Sequence, residues 1–258
     1  MKPVLSPAPW LLHVLIPGLA LAAGLSLGCR STGKPAQGGG ASSVDRKQAV
    51  SSTTPAAGTR AVSRPLPASP LPVAKDGWKP LWDGRTLAGW QVTDFAGRGE
   101  VTIENGNLVL ETGIMTGVNW TNGAALPRVN YEIALDAMRV EGSDFFCGLT
   151  FPVGESPCSL IVGGWGGGVV GLSNIDGQDA ANNDTTKYMN FDNGRWFAIR
   201  VRVTGTNISA WIDGDRVVDA DTEGRGISIR PEVDASQPLG ISSWSTTAAI
   251  RNLRLRRL

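Results

Sequence analysis

From residue 77 to the end of the chain, apolar and polar side chains alternate with a period of two, and no stretch sustains the 3.6-residue apolar spacing of an amphipathic helix. Tyr131, Ile133, Leu135 and Ala137 share one face of a strand, with Glu132, Ala134, Asp136 and Met138 on the other. Phe197, Ile199, Val201 and Val203 oppose Trp196, Ala198, Arg200 and Arg202, and Ile208, Ala210 and Ile212 oppose Ser209, Trp211 and Asp213. Asp213-Gly214 before Asp215 marks a tight hairpin leading to Val217-Val218. Glu104-Asn105-Gly106-Asn107 marks another, between Val101–Ile103 and Leu108–Leu110. Short strands separated by such turns predict an all-β sandwich or barrel, and a domain of this length buries enough surface for one core.

The first 76 residues have a different character. Met1-Lys2, the apolar run Trp10–Leu27 and the junction Leu25-Ser26-Leu27-Gly28-Cys29 predict a secretory signal over residues 1–28. The cysteine at the junction resembles a bacterial lipoprotein signal, which implies acylation of Cys29, a membrane contact through that lipid and a place in the cell envelope. The family pattern has Leu three residues before the Cys, where this chain has Ser26. A signal cut after Ala20–Ala22, with simple secretion, and an uncleaved anchor are the alternatives. Residues 29–76 are rich in Gly, Ser, Ala, Thr and Pro, including Gly38-Gly39-Gly40 and Arg64-Pro65-Leu66-Pro67. Such a stretch buries too little apolar surface to offset chain entropy and predicts a disordered tether. Residues 77–258 are then the folded domain, and they hold eight of the nine tryptophans.

Composition excludes whole classes of chemistry. His13, the one histidine, lies in the signal, so the exported chain has no Ser-His-Asp or Cys-His catalysis and no imidazole-based zinc site. Without its signal the chain carries 23 basic and 23 acidic residues, a balance that argues against nucleic acid. The basic cluster Arg251, Arg254, Arg256 and Arg257 predicts a solvated edge strand blocked by charge. Cys147 and Cys158 suit a disulfide between neighbouring strands in an oxidising compartment, or two buried thiols.

Several segments, taken in order, resemble one family. Trp82-Asp83-Gly84-Arg85-Thr86-Leu87-Ala88-Gly89-Trp90 looks like the opening motif of the 3-keto-disaccharide hydrolase family. Tyr131-Glu132-Ile133, Gly194-Arg195-Trp196, Ile208-Ser209-Ala210-Trp211-Ile212-Asp213-Gly214, Pro238-Leu239-Gly240-Ile241 and Ile250-Arg251-Asn252-Leu253-Arg254-Leu255-Arg256 are similar to its later strands. The resemblance implies a concanavalin A-like jelly-roll sandwich whose curved sheet meets sugars. It also implies secretion and cleavage of glycosidic bonds in 3-keto sugars. The middle departs from the pattern: Ser143-Asp144-Phe145-Phe146-Cys147-Gly148 stands where Asn-Ser-Gly is usual. Ser159–Gly168 stands where an aromatic-Glu-x-Gln strand is usual.

The candidate site residues follow. Glu132 and Asp136 are about 13 Å apart along one strand, too far for a glycosidase pair at about 5–9.5 Å. Asp144 is a candidate partner for either, so Asp144 and Glu132 are the catalytic candidates. The alternative for Glu132 and Asp136 is cross-strand pairing with Arg200 and Arg202. Arg200 or a bound cation would stabilise an enolate-like oxygen. Trp165 in the Gly163–Gly168 segment, Trp120 and Trp244 are candidate sugar platforms, with core packing as the alternative. Trp82, Trp90, Trp196 and Trp211 read as core residues. Ser173–Asp184 is dense in oxygen side chains, which suits Ca2+, although Lys187 stands where an EF-hand loop needs Glu, and an Asx-rich surface loop is the alternative. Asp176, Asp179 and Lys187 are candidate polar contacts to a sugar. Three functions stay open: a 3-keto-glycoside hydrolase, a non-catalytic glycan-binding module, and a structural envelope protein.

Overall fold

The computed structural model describes residues 65–69 and 76–258. The expected signal, the acylated Cys29 and nearly all of the expected tether lie outside the described residues. None of the described helices is long and apolar enough to cross a membrane.

Fifteen strands form the domain: β1 (Lys79–Pro80), β2 (Trp90–Val92), β3 (Val101–Glu104), β4 (Asn107–Leu110), β5 (Met115–Trp120), β6 (Tyr131–Gly142), β7 (Cys147–Val153) and β8 (Ser156–Gly164) come first. They are followed by β9 (Val169–Ser173), β10 (Lys187–Tyr188), β11 (Trp196–Val203), β12 (Asn207–Ile212), β13 (Asp215–Asp221), β14 (Gly240–Trp244) and β15 (Thr246–Arg257). The first sheet runs β13-β12-β11-β6-β15-β4-β3, with β1 also alongside β15. The second runs β10-β9-β8-β7-β14-β5-β2. Every pairing between them is antiparallel.

The turns carry the conformations that two-residue hairpins need. Asn105-Gly106 and Asp213-Gly214 both have positive φ at both positions, which matches the right-handed twist of the flanking strands. Period two then sorts the side chains. Tyr131, Ile133, Leu135 and Ala137 of β6 and Phe197, Ile199, Val201 and Val203 of β11 point between the sheets. From the second sheet Cys147, Leu149 and Phe151 of β7, Leu160 and Val162 of β8, and Val170 and Leu172 of β9 meet them. A large side chain buried this fully contributes about 1.5–3 kcal/mol. The fully buried Tyr131 crosses between the sheets, its hydroxyl donating to the Pro152 carbonyl.

Three expectations need correction. Cys147 lies opposite Val162 and Cys158 opposite Phe151, so four residues of ladder, about 13 Å, separate the two thiols. That is beyond the reach of a disulfide, and both are buried free thiols. β15 is no edge strand: β6 lies on one side of it and β4 and β1 on the other. Its arginines cover the outside of the first sheet instead. Trp196 and Trp211 are not core residues, because their parity turns them outward, where Arg251 and Arg200 stack on them at 4.0 and 3.8 Å. Trp82 and Trp90 are core, as expected.

Candidate functional site

The two outer faces differ in kind. On the first sheet, β6, β11 and β15 turn Glu132, Arg200, Arg202 and Arg256 to the same side. The Glu132 carboxylate is fully covered, with Arg200 at 2.6 Å, Arg202 at 2.7 Å and Arg256 at 2.5 Å. Burial pushes its pKa up, but the three guanidinium hydrogen bonds outweigh burial and hold it below the usual range. Asp136 is engaged by Arg251 at 3.2 Å and by the Asn252 amide at 2.7 Å. Arg200 stacks on Trp211, and Arg254 and Arg256 lie over Trp78. Every charge at the centre of this face thus has a partner on the same face.

The outer face of the second sheet is built from small side chains. Parity puts Gly117 of β5, Gly148 and Thr150 of β7, Ser159 and Ile161 of β8, Gly171 and Ser173 of β9, and Ser242 and Trp244 of β14 on it. A side chain at Gly117 or Gly148 would collide: an added Cβ would lie 2.6 Å from the Ile241 carbonyl or 2.9 Å from the Ser242 hydroxyl. Small residues on a sheet leave a groove where larger ones would fill it. A cleft of about 270 Å³ lies there, lined by Met115, Ser159, Ile161, Ser173 and Trp244 from the sheet and by Asp144, Phe145, Trp165, Arg230, Glu232 and Val233 around it.

Three loops supply that rim. The β6–β7 connection brings Asp144 and Phe145, and Phe145 packs against Trp244 with ring centroids 6.5 Å apart. Asp144 Oδ1 accepts the Phe145 N–H at 2.7 Å, and Oδ2 accepts the Gly166 N–H at 3.3 Å. The β8–β9 hairpin presents Trp165, which is 44% exposed and has φ +50°. A bulky residue held in the left-handed region costs about 1 kcal/mol or more, and such strain gathers at functional sites. The third loop, with the short 3-10 helix Pro231–Ser236, contributes Arg230 and Glu232, which pair at 2.7 Å. That pairing holds Glu232 below the usual carboxylate range. Arg230 also reaches Asp179 at 3.1 Å.

Of the residues expected from sequence, the cleft brings together Asp144, Trp165 and Trp244, with Asp179 behind Arg230. The rest lie elsewhere. Glu132 and Asp144 do not form a pair: ten strand residues, about 33 Å, run from Glu132 to the end of β6. Arg200 belongs to the Glu132 cluster. Trp120 packs edge-on against Trp90 at 5.3 Å and donates its indole N–H to the Asn122 carbonyl. Lys187 lines a separate polar cavity of about 410 Å³ with Asp184, Arg216 and Arg225. Asp176 joins the edge of that group through Arg225 at 2.6 Å.

The oxygen-rich loop spends its carboxylates on guanidinium and amide groups. Asp176 also accepts the Gly226 N–H, Asp184 meets Arg225 at 2.9 Å, and Asp179 takes Arg230 and the Ala181 N–H. Among the described residues no group of three or more His, Cys, Asp or Glu side chains is gathered to hold a metal ion. Arg230 and Glu232 escaped sequence reasoning because they sit in a loop with no periodic signal. Ser159 and Ile161 were missed too, although their alternation with Leu160 is a signal that turns them outward.

The site is thus an aromatic and carboxylate cleft on one outer face of an all-β sandwich of two antiparallel sheets. Residues 77–256 match the model of the 3-keto-alpha-glucoside-1,2-lyase-like domain, and the chain belongs to that family. Among solved structures it is similar to the Crh5 transglycosylase in complex with NAG, at 11% identity and TM-score 0.50 over 70% of this chain and 84% of that one. It is also similar to the carbohydrate-binding module CBM66 from Bacillus subtilis, at 13% identity and TM-score 0.44 over 65% and 95%. A third likeness is to a candidate glycosyl hydrolase from Parabacteroides distasonis, at 12% identity and TM-score 0.47 over 70% and 94%. No curated protein matches the chain.

Proposed function

We propose that the domain takes a carbohydrate into the cleft of the second sheet and cleaves 3-keto glycosides there by elimination. The observation that carries this reading is the convergence of two carboxylates, Asp144 and the Arg230-paired Glu232, with an exposed indole, Trp165, and a cation, Arg230, on a single cleft. Family membership supplies the substrate class. Sugar rings pack their C–H faces on Trp165 and Trp244. A ketone at C3 acidifies the C2 hydrogen, and an Asp144 oxygen takes that proton. The electron pair passes into the C3 carbonyl as an enolate, whose oxygen Arg230 stabilises. The carbonyl then re-forms, a C1=C2 bond forms, and the C1–O bond to the leaving sugar breaks. That oxygen receives the proton from Asp144, and water then adds across C1=C2, its oxygen to C1 and a proton to C2. The basic start, apolar run and Cys29 support export and anchoring through lipid.

One observation favours a second reading, a glycan-binding module without catalysis: both Asp144 oxygens already accept backbone N–H groups. One experiment separates the two. The purified chain is incubated with a 3-keto disaccharide and with its ordinary parent, with and without chelator, and released monosaccharide is measured. Release from the keto sugar alone is expected. Asp144→Asn is expected to lower the rate by roughly 100-fold or more, as loss of a general base does, with sugar affinity retained. No release by the parent protein, with ordinary glycans bound in the cleft, would leave the binding module.

A further inference from the structure

Arg139, near the end of β6, shares the inward parity of Tyr131, Ile133, Leu135 and Ala137 and pairs with the core residue Ala248, and it is only 5% exposed. Its guanidinium keeps its charge in any protein, so burial obliges it to gather oxygen acceptors. It does so from three loops at once. Nε donates to Asn193 Oδ1 at 2.8 Å and Nη2 to the Phe191 carbonyl at 2.5 Å. Nη1 donates to the Asp144 carbonyl at 3.3 Å, and both Nη atoms reach the Gly167 carbonyl at 3.5 Å. The Phe146 ring lies beneath it, 5.5 Å from Cζ. Gly167 leaves room for this arrangement: with φ +110°, an added Cβ would sit 2.9 Å from Arg139 Nη1 and 2.9 Å from the Ser143 carbonyl.

We propose that Arg139 is the positioning residue of the cleft, holding the Asp144 loop and the Trp165 hairpin at a fixed separation. Asp144 sits on the β6–β7 connection between the sheets and Trp165 on the β8–β9 hairpin, and the direct links between these two segments are long: Gly166 N–H to Asp144 at 3.3 Å and Phe146 N–H to the Val162 carbonyl at 3.3 Å. Arg139 grips the main chain of both, and through Phe191 and Asn193 it ties them to the segment before β11. Its catalytic consequence rests on the functional reading above, but its mechanical role does not.

The experiment uses the full chain labelled with 5-fluorotryptophan, the Trp165 resonance being assigned by its loss in Trp165→Phe. Arg139→Lys keeps the charge with fewer donors, and Asn193→Ala removes one acceptor while leaving the arginine. In both, the Trp165 resonance is expected to shift or broaden while those of Trp82 and Trp90 stay. In Arg139→Lys, kcat on the 3-keto disaccharide is expected to fall roughly tenfold, with a smaller change in KM, and Asn193→Ala is expected to show a lesser fall. An unchanged Trp165 resonance in both variants overturns the proposal, as does a shifted resonance with wild-type kcat in both. Should the parent protein show no turnover, the enzymatic reading fails. Arg139 is then judged by the resonance and by glycan affinity, which a real loss of positioning weakens.

Discussion

Replacing Glu132 by Gln removes one negative charge from beneath three arginines and keeps its volume. The carboxylate is wholly covered, while the side chains of Arg200, Arg202 and Arg256 are 31%, 39% and 29% exposed. Removing one partner from a fully buried ion pair costs about 3–5 kcal/mol, because the other charge stays behind uncompensated. Here water reaches the arginines and screens part of that cost, so about 2–3 kcal/mol is expected. For a domain of this size each kcal/mol moves the midpoint by about 2–4 °C, which gives a fall of roughly 5–10 °C. Thermal unfolding followed by circular dichroism reads it. The deficit should shrink in high salt, which screens repulsion among the three arginines. Turnover of a 3-keto disaccharide at 25 °C should stay at the parent value, since Glu132 lies outside the cleft. A midpoint within 2 °C of the parent would refute the electrostatic argument. Lost turnover with an unchanged midpoint would return Glu132 to the catalytic candidates.

Further outcomes follow from the same geometry. Burial pushes both Cys147 and Cys158 up to about 12, so neither thiol should react with a disulfide reagent at pH 8 until the protein is denatured, when both should. Trp165→Gly should relieve the strained φ and hold or raise the unfolding midpoint, while weakening glycan affinity about tenfold by calorimetry; intact affinity would remove the indole from the site. Asp83 and Asp176 are held low mainly by backbone N–H groups, and Asp184 and Glu232 by Arg225 and Arg230; Glu132 is low despite its burial. Their folded values lie below their ordinary ones, so this stabilisation is complete above about pH 4.5 and is lost as pH falls through the lowered values. Denaturant midpoints from pH 7 to pH 2 should be flat and then drop, and a decline that begins near neutrality would contradict the assignment.

The sandwich was legible because a strand's parity is local. Alternation at Tyr131–Met138, Trp196–Val203 and Ile208–Asp213 decides which side chains face the core wherever the strand ends up. The Asn-Gly and Asp-Gly turns are local for the same reason, since two positive φ values depend on the two residues themselves. Sequence also yielded the carboxylate Asp144 and the indoles Trp165 and Trp244 as candidates. Neighbours in space were another matter. That β15 lies between β6 and β4, that Arg256 meets Glu132 from 124 residues away, and that Arg230 joins Asp144 in lining the cleft all depend on strand order. The period-two pattern is the same whichever strand lies alongside. Only the packed sheets therefore decided that Glu132 is a covered counter-ion, that the two thiols stay apart and that the groove belongs to the second sheet.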